Sequence, residues 1–269
     1  MYAKEIENMA LPVKLSDIKM EILPEYKGGY EARLMLPGEI PGASVYCHHI
    51  PKQYDLSFEG QRKFIRIFFL CEGNAVFSAE NESFYYAHKA VFVARPESRV
   101  SIHTAEESVL LEIQWELNEQ DLADLDASKE HFPFSEAYRD ALQYRDFFKS
   151  ETTISRAIIK QSFIPRFAMG SVEAKGDDLV GQHAHPLLDQ FFFSFPENDM
   201  DLLIDCRICP MKGNTLLHIP LGSNHGVIAR GSQKMHYLWI DCTPQELKQQ
   251  AVDYLNEVHK PTGEKQTLE

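Results

Sequence analysis

From Ser44 onward the chain alternates short apolar runs with turn-forming residues, the spacing expected of an antiparallel β protein. The clearest case is Lys63-Phe64-Ile65-Arg66-Ile67-Phe68-Phe69-Leu70, followed by a Glu72-Gly73-Asn74 turn and a second run from Ala75 to Glu80. Strands are also predicted over 90–94, 100–104 and 108–116, and again around 156–162 and 167–174. Many short strands rich in Phe, Val and Ile bury their apolar faces by closing into a barrel or stacking as a sandwich. Residues 1–40 form an arm of short extended pieces broken by Pro24, Gly28-Gly29, Pro37 and Pro41-Gly42. Between Leu117 and Ser155 polarity rises and the period lengthens. Residues 136–148 have helical character there, a short helical turn is predicted over 118–126, and the Tyr-Arg-Asp text reads as a solvated or interface face. Near the end, Thr243-Pro244-Gln245-Glu246 has the form of an N-cap, a proline at the first helical position and a capping box. A helix is therefore predicted to about His259, stopped by Lys260-Pro261-Thr262-Gly263, with a frayed tail after it.

Candidate chemistry concentrates between Gly181 and His225. His183-x-His185 on an extended segment puts two imidazoles on one face, because strand side chains alternate. Pro220-x-Gly222 then makes a turn through which His225 re-enters the same pocket from a neighbouring strand. Pro186 interrupts the extended chain, so parity alone leaves two choices for a fourth ligand. If Gln190 faces inward, so do Phe192 and Ser194, and Phe191, Phe193 and Phe195 pack on the opposite face. If Asp189 faces inward, three Phe rings crowd the lumen; Gln190 is therefore preferred and Asp189 is the fallback. The histidines and amide would hold one divalent metal, with zinc, iron, manganese or nickel all suited to imidazole. Neutral ligands leave the ion its full charge, so the site would attract an anion and polarise a carbonyl, hydroxyl or carboxylate.

His183-x-His185-x4-Gln190 followed by Pro220-x-Gly222-x-x-His225 resembles the two short motifs of the cupin superfamily. The resemblance implies an all-β fold of cupin (double-stranded β-helix, jelly-roll) barrels. An internal repeat suggests two of them. Pro96 and Pro220 lie 124 apart, as do Trp115 and Trp239, and Phe68-Phe69 falls on Phe192-Phe193 at the same shift. The chain is thus read as a bicupin: arm 1–40, first barrel 41–117, partly helical connector 118–151, second barrel 152–242, and C-terminal helix and tail 243–269. Carried back by 124, the four candidate ligands land on Glu59, Gln61, Arg66 and Ser101, so the metal belongs to the second barrel alone. Arg66 is expected in the first lumen, paired with Glu59.

A second likeness lies in Asp189-Gln190-Phe191-Phe192-Phe193-Ser194-Phe195-Pro196-Glu197-Asn198, with His225-Gly226-Val227 and Tyr237-Leu238-Trp239 after it. This text resembles the uronate ketol-isomerases of pectin breakdown. It implies a bicupin that interconverts keto and aldose forms of a deoxy-hexulosonate, although Gln190 stands where that family has Glu. In such a reaction a base moves a proton between adjacent carbons, and His218, His236 and Tyr237 are the candidate catalytic residues. A cupin dioxygenase with a three-histidine iron and a non-catalytic small-molecule binder are the alternative readings.

Composition narrows the partners. A formal charge of −13 argues against nucleic-acid and anionic-membrane surfaces but not against the expected substrate, a small anionic metabolite held in a locally positive pocket. No apolar run approaches the ~18 residues of a membrane span. The opening Met1 to Glu7 lacks the apolar core of a signal peptide, so a cytoplasmic location is expected. Five cysteines at irregular spacing suit reduced thiols, and Cys206-x-x-Cys209 lacks the partner pair of a zinc site. A homodimer is the expected assembly.

Overall fold

The computed structural model describes residues 18–146, 148–204, 207–251 and 253. Period-2 burial along its strands builds two barrels of one design. In the first, one sheet runs Ala43–Ile50, Ser108–Glu116, Phe64–Glu72 and Ala90–Val93 in spatial order. Its second sheet runs Tyr54–Phe58, Val100–Thr104, Ala75–Ala79 and Glu82–Tyr86. The other barrel repeats this order, with Phe167–Lys175, Lys234–Cys242, Asp189–Ser194 and Thr215–Ile219 in one sheet. Its remaining strands pair as Asp178–Ala184, Asn224–Ala229, Asp199–Ile204 and Arg207–Lys212.

The first-named sheets pack back to back. Ile65, Ile67, Phe69, Leu111, Ile113 and Trp115 of one share a core with Phe191, Phe193, Leu216, Leu238 and Ile240 of the other. Alternate residues turn into the lumens. Phe68, Leu70, Phe77 and Phe92 fill the first, and Phe192, Leu202, Leu217, Val227 and Tyr237 line the second.

Both outer edges of the shared layers are covered by borrowed strands, which removes the hazard of an open edge. Lys19–Ile22 of the arm pairs with Thr215–Ile219 of the second barrel, and Phe134–Ala137 of the connector pairs with Ala90–Val93 of the first. The helical expectation for 136–148 is therefore corrected. This stretch contains the end of that strand, a 3-10 turn at Tyr138–Asp140 and a strand at Leu142–Tyr144 that joins Ile154–Ile164. Ladder partners on both barrels satisfy its backbone better than an isolated helix would, so tertiary pairing overrides local propensity. The helix predicted over 118–126 forms as α1, Glu119–Ala127, where the Asn118 side chain accepts from the Asp121 N–H and Asp121 completes the capping box.

At the C-terminus Gln245–Leu247 is a 3-10 turn behind Pro244, without the predicted side-chain cap, and helical residues follow from 248 to 251. The predicted continuation to His259 and the tail lie outside the described residues, as does Cys206. Cys47, Cys71, Cys209 and Cys242 are free, buried thiols.

The repeat is real but its shift is not constant. Phe68 and Phe192 are 124 apart on equivalent lumen positions. In the second sheets the shift is 125, since Phe77 pairs with Phe84 and Ile102 as Leu202 pairs with Cys209 and Val227. On the last strand it is 127: Glu112 lies opposite Phe68, whereas Trp239 lies opposite Phe192. The two Trp residues are thus not equivalent. Trp115 belongs to the core between barrels and Trp239 packs against the second lumen. Insertions between strands changed the register while preserving the topology.

Arg166 ties these units together from the turn between Ile154–Ile164 and Phe167–Lys175. Its guanidinium donates to Asp121 Oδ2 at 2.7 and 3.0 Å, to the Thr243 carbonyl at 3.0 Å and to the Glu116 carbonyl at 2.8 Å. Lys248 Nζ donates to the other Asp121 oxygen at 2.8 Å. Burial alone would raise the Asp121 pKa, but hydrogen bonds from Arg166, Lys248 and the helix cap overcome it and hold the carboxyl below its ordinary range. Asp121→Ala should cost about 3–5 kcal/mol in chemical denaturation, because it strands a buried guanidinium. A carboxyl depressed on folding stabilises above its unfolded pKa, so the advantage of wild type over Asp121→Asn should persist above about pH 4 and shrink as acid protonates Asp121.

Candidate metal centre

His183 and His225 face each other across the Asp178–Ala184 and Asn224–Ala229 ladder. A bulge between Val180 and His183 shifts the parity, so that both Val180 and His183 address the lumen. Gly226 allows it. A Cβ there would meet the Val180 carbonyl oxygen at 2.5 Å. Gly222, at φ 76°, makes the predicted turn, and its N–H donates to the His185 carbonyl at 3.0 Å. The three imidazoles converge, with ring centroids 4.8 to 5.4 Å apart and a ligating atom of each within 4.8 Å of the others.

Backbone carbonyls fix two tautomers. His183 Nδ1–H donates to Gly181 O at 2.8 Å and His225 Nδ1–H to Ser223 O at 3.0 Å, which leaves each Nε2 with a lone pair. His225 Nε2 is buried with no hydrogen-bond partner. Burial holds all three rings neutral, pushing His225 down to about 3 and His185 well below the ordinary range.

Asp189–Ser194 forms part of the opposite wall. Phe191 and Phe193 enter the core between barrels, as does Phe195 just beyond the strand, while Phe192 enters the lumen with its ring 5.7 Å from that of His225. Gln190 shares the Phe192 face, donates through Nε2 to Asp241 Oδ1 at 2.6 Å and keeps a buried, unpartnered Oε1. Asp189 does not face the histidines, which corrects the fallback. Its carboxylate accepts from the Leu221 N–H at 2.8 Å and pairs with His218 Nε2 at 3.2 Å.

The candidate proton carriers divide between the two faces. His218 is in register with Phe191 and is held between Asp189 and Glu39, away from the lumen. His236 also lies on the outer face, bonded to the Tyr138 hydroxyl at 2.9 Å and to Glu197. Neither is brought to the imidazoles, because each sits at the odd step of its strand. Tyr237 does face the lumen, with its ring 4.6 Å from Phe192, and burial raises the pKa of its phenol.

The sequence reading missed Asp241 and a connector segment. Asp241 follows Tyr237 and Trp239 on the lumen side, and burial pushes its carboxyl up to about 7. Period-2 counting from Tyr237 would have found it. Phe148 stacks on His183 at 4.2 Å, its carbonyl accepts from Gly181 N–H at 2.8 Å, and Lys149 bridges Val180. Lys149 is buried and contacts Asp146 at 2.7 Å and the Tyr144 hydroxyl at 3.2 Å. Its signal was the aromatic and basic run entering the second barrel.

Among the described residues the first barrel holds no such cluster. The Phe58–Val100 pair stands where His183–His225 stand, and Arg66 stands at Gln190. Arg66 pairs with the Glu112 carboxylate at 2.8 Å and reaches Glu59 only at its backbone carbonyl, a correction forced by Glu112 rising from the adjacent strand. His48 donates to Glu112 at 3.0 Å and accepts from the Tyr30 hydroxyl at 2.9 Å.

No protein-family model matches the sequence, and no curated protein matches it. Solved structures do share the fold. An oxalate decarboxylase from Lactobacillus farciminis in complex with formate superposes with a TM-score of 0.62 at 14% identity, covering 86% of this chain and 86% of that one. The protein Ylba from E. coli superposes at 0.62 with 12% identity, covering 90% and 97%. A cupin 2 conserved barrel domain protein from Leptotrichia buccalis gives 0.58 at 12%, covering 84% and 96%. The shared architecture is that of tandem cupin barrels, all-β jelly rolls. Among the described residues no helix is long and apolar enough to cross a membrane.

The donor set suits a divalent ion: neutral imidazoles, fixed tautomers and two buried acceptor atoms without partners. In metal-free protein, 15N NMR should show His225 as the neutral Nδ1–H tautomer from pH 8 down to about 4. Protonation of His225 near pH 6 would contradict the buried geometry.

Proposed function

We propose that the second barrel binds one divalent metal through His183, His185, His225 and the Gln190 amide oxygen, and that the protein is a metal-dependent enzyme. Its substrate on this reading is a small, oxygen-rich anion of the sugar-acid or keto-acid class, and its reaction an isomerisation. The observation that carries the reading is the pair of orphaned acceptors, His225 Nε2 and Gln190 Oε1, beside two further imidazoles. Burying such atoms unpaired costs about 1–3 kcal/mol each, which a ligand recovers.

When bound, the metal supplies Lewis-acid polarisation of a carbonyl or hydroxyl oxygen. The chain's own groups do the rest. Ser223 and Gly181 carbonyls orient the rings, and Asp241 orients Gln190. Tyr237 and Asp241 face the lumen as groups able to hold or move a proton. An oxalate decarboxylase among proteins of this fold supports a small carboxylic acid as substrate. Asp189 turning away leaves no carboxylate aimed from that strand at the imidazoles, which also suits an iron dioxygenase; the metal's identity separates the two.

Protein purified without chelator or affinity nickel should contain close to one zinc, manganese, nickel or iron per chain by elemental analysis. His183→Ala/His225→Ala should lose it. Zinc or manganese then favours an isomerase assay on keto-uronates, whereas iron with oxygen sensitivity favours the dioxygenase. Wild type that holds no metal, and whose Tm is indifferent to added divalent ions, would overturn the reading.

A further inference from the structure

The connector enters the second barrel beside the histidines and carries one buried cation with it. Lys149 is 7% exposed at its side chain. Its ammonium lies 4.7 Å from the Tyr144 ring centroid and 5.5 Å from that of Phe148, and Phe148 itself stacks on His183. Backbone pairing of Lys149 with Val180 fixes this placement, because Val180 belongs to the lumen wall.

An ammonium carries three N–H donors. Asp146 takes one and the Tyr144 hydroxyl another, and among the described residues the third has no partner. Lys149 is also close enough that its charge disfavours protonation of His183, His185 and Asp241. Asp146 neutralises it only in part, being itself 29% exposed to solvent at its side chain. Burial lowers the Lys149 pKa against the opposing pull of Asp146 and Asp241, so a further anion beside it would stabilise the buried charge.

We propose that Lys149 anchors a carboxylate of the substrate while another oxygen of the same molecule faces the histidine cluster. The inference rests on the metal reading above and narrows its substrate to an acid whose carboxylate lies within one small molecule's reach of a carbonyl or hydroxyl. Neutral polyols are thereby excluded as good ligands. Lys149 acts as a specificity-determining contact, and Asp146 and Tyr144 position it.

The test is calorimetric titration of manganese-loaded protein with oxalate, run on wild type, Lys149→Gln and Lys149→Arg, with metal content and far-UV circular dichroism measured on each. Lys149→Gln should keep the metal and the fold but bind oxalate at least tenfold more weakly, the loss expected for one charge-assisted hydrogen bond. Lys149→Arg, which keeps the charge, should recover most of the affinity, and neutral erythritol should bind none of the three appreciably. Should Lys149→Gln fail to fold, Lys149→Met keeps the aliphatic stem against Tyr144 and Phe148 and serves in its place. Oxalate affinity within twofold of wild type at full metal content would overturn the assignment of Lys149, as would metal-loaded wild type that ignores oxalate. Wild type that takes up none of manganese, zinc, nickel and iron would instead overturn the metal reading on which the assignment depends.

Discussion

The strict alternation of side chains along the two back-to-back sheets is the constraint from which the site follows. Every residue of Asp189–Ser194 faces either the core between barrels or the second lumen, and a slip of one position would exchange the two sets. Phe191 and Phe193 are 1% exposed, and each stabilises its place by about 1.5–3 kcal/mol of apolar burial. That burial holds the register. Gln190 and Phe192 are thereby delivered to the lumen, and Leu238 and Ile240 do the same for Tyr237, Trp239 and Asp241 on the neighbouring strand. The first barrel bears on the site without supplying a side chain to it, since its sheet is the surface against which these rings pack. Phe69 meets Phe195 at 5.9 Å across that seam.

The two lumens differ in whether their buried polar groups are satisfied. In the first, Glu112 is buried, which alone would raise its pKa, yet bonds from His48, Gln114 and Arg66 overcome the penalty and leave it lowered. His48 is satisfied at both nitrogens and Arg66 stacks over Phe64 at 4.8 Å. A network closed on itself in this way is structural. In the second, donors and acceptors are arranged with equal care but left open at His225 Nε2 and Gln190 Oε1. Buried polar atoms are seldom orphaned, and the two that share this lumen are the observation on which the proposed metal rests.

What the sequence made legible was local. The inward set Gln190, Phe192, Ser194 followed from strand parity and the bulk of the Phe rings. The convergence of His183, His185 and His225 followed from a motif whose turn residues carry their own geometry. Failures came wherever the deciding partner was distant in the chain. Residues 136–148 look helical in isolation, but strands at 90–93 and 154–164 claim their backbone. His218 and His236 sit near the clustered histidines in sequence and on the wrong face in space, since neighbouring steps of a strand point apart. The matching Trp spacing was coincidence, concealed by a register change that only cross-strand partners reveal.

The connector is where these long-range effects meet. Its Phe134–Ala137 strand is stitched to the first barrel, and Tyr138 then accepts from Arg156 and Ser171 and donates to His236, all in the second. Six residues later the same segment reaches the lumen at Tyr144, and soon after it lays Phe148 on His183 and Lys149 beside it. Each anchorage restricts the next, because so short a span leaves little slack between Tyr138 on the outer face and Tyr144 at the barrel mouth. His236 thus bears on the site although it lies behind the sheet: it holds the segment whose far end covers the histidines. A chain with only the second barrel would lose the strand that starts this sequence of contacts, and with it the fixed approach of Lys149 to the imidazoles. The tandem barrels are therefore packed as one unit, in which the first orients both the wall and the cover of the histidine cluster in the second.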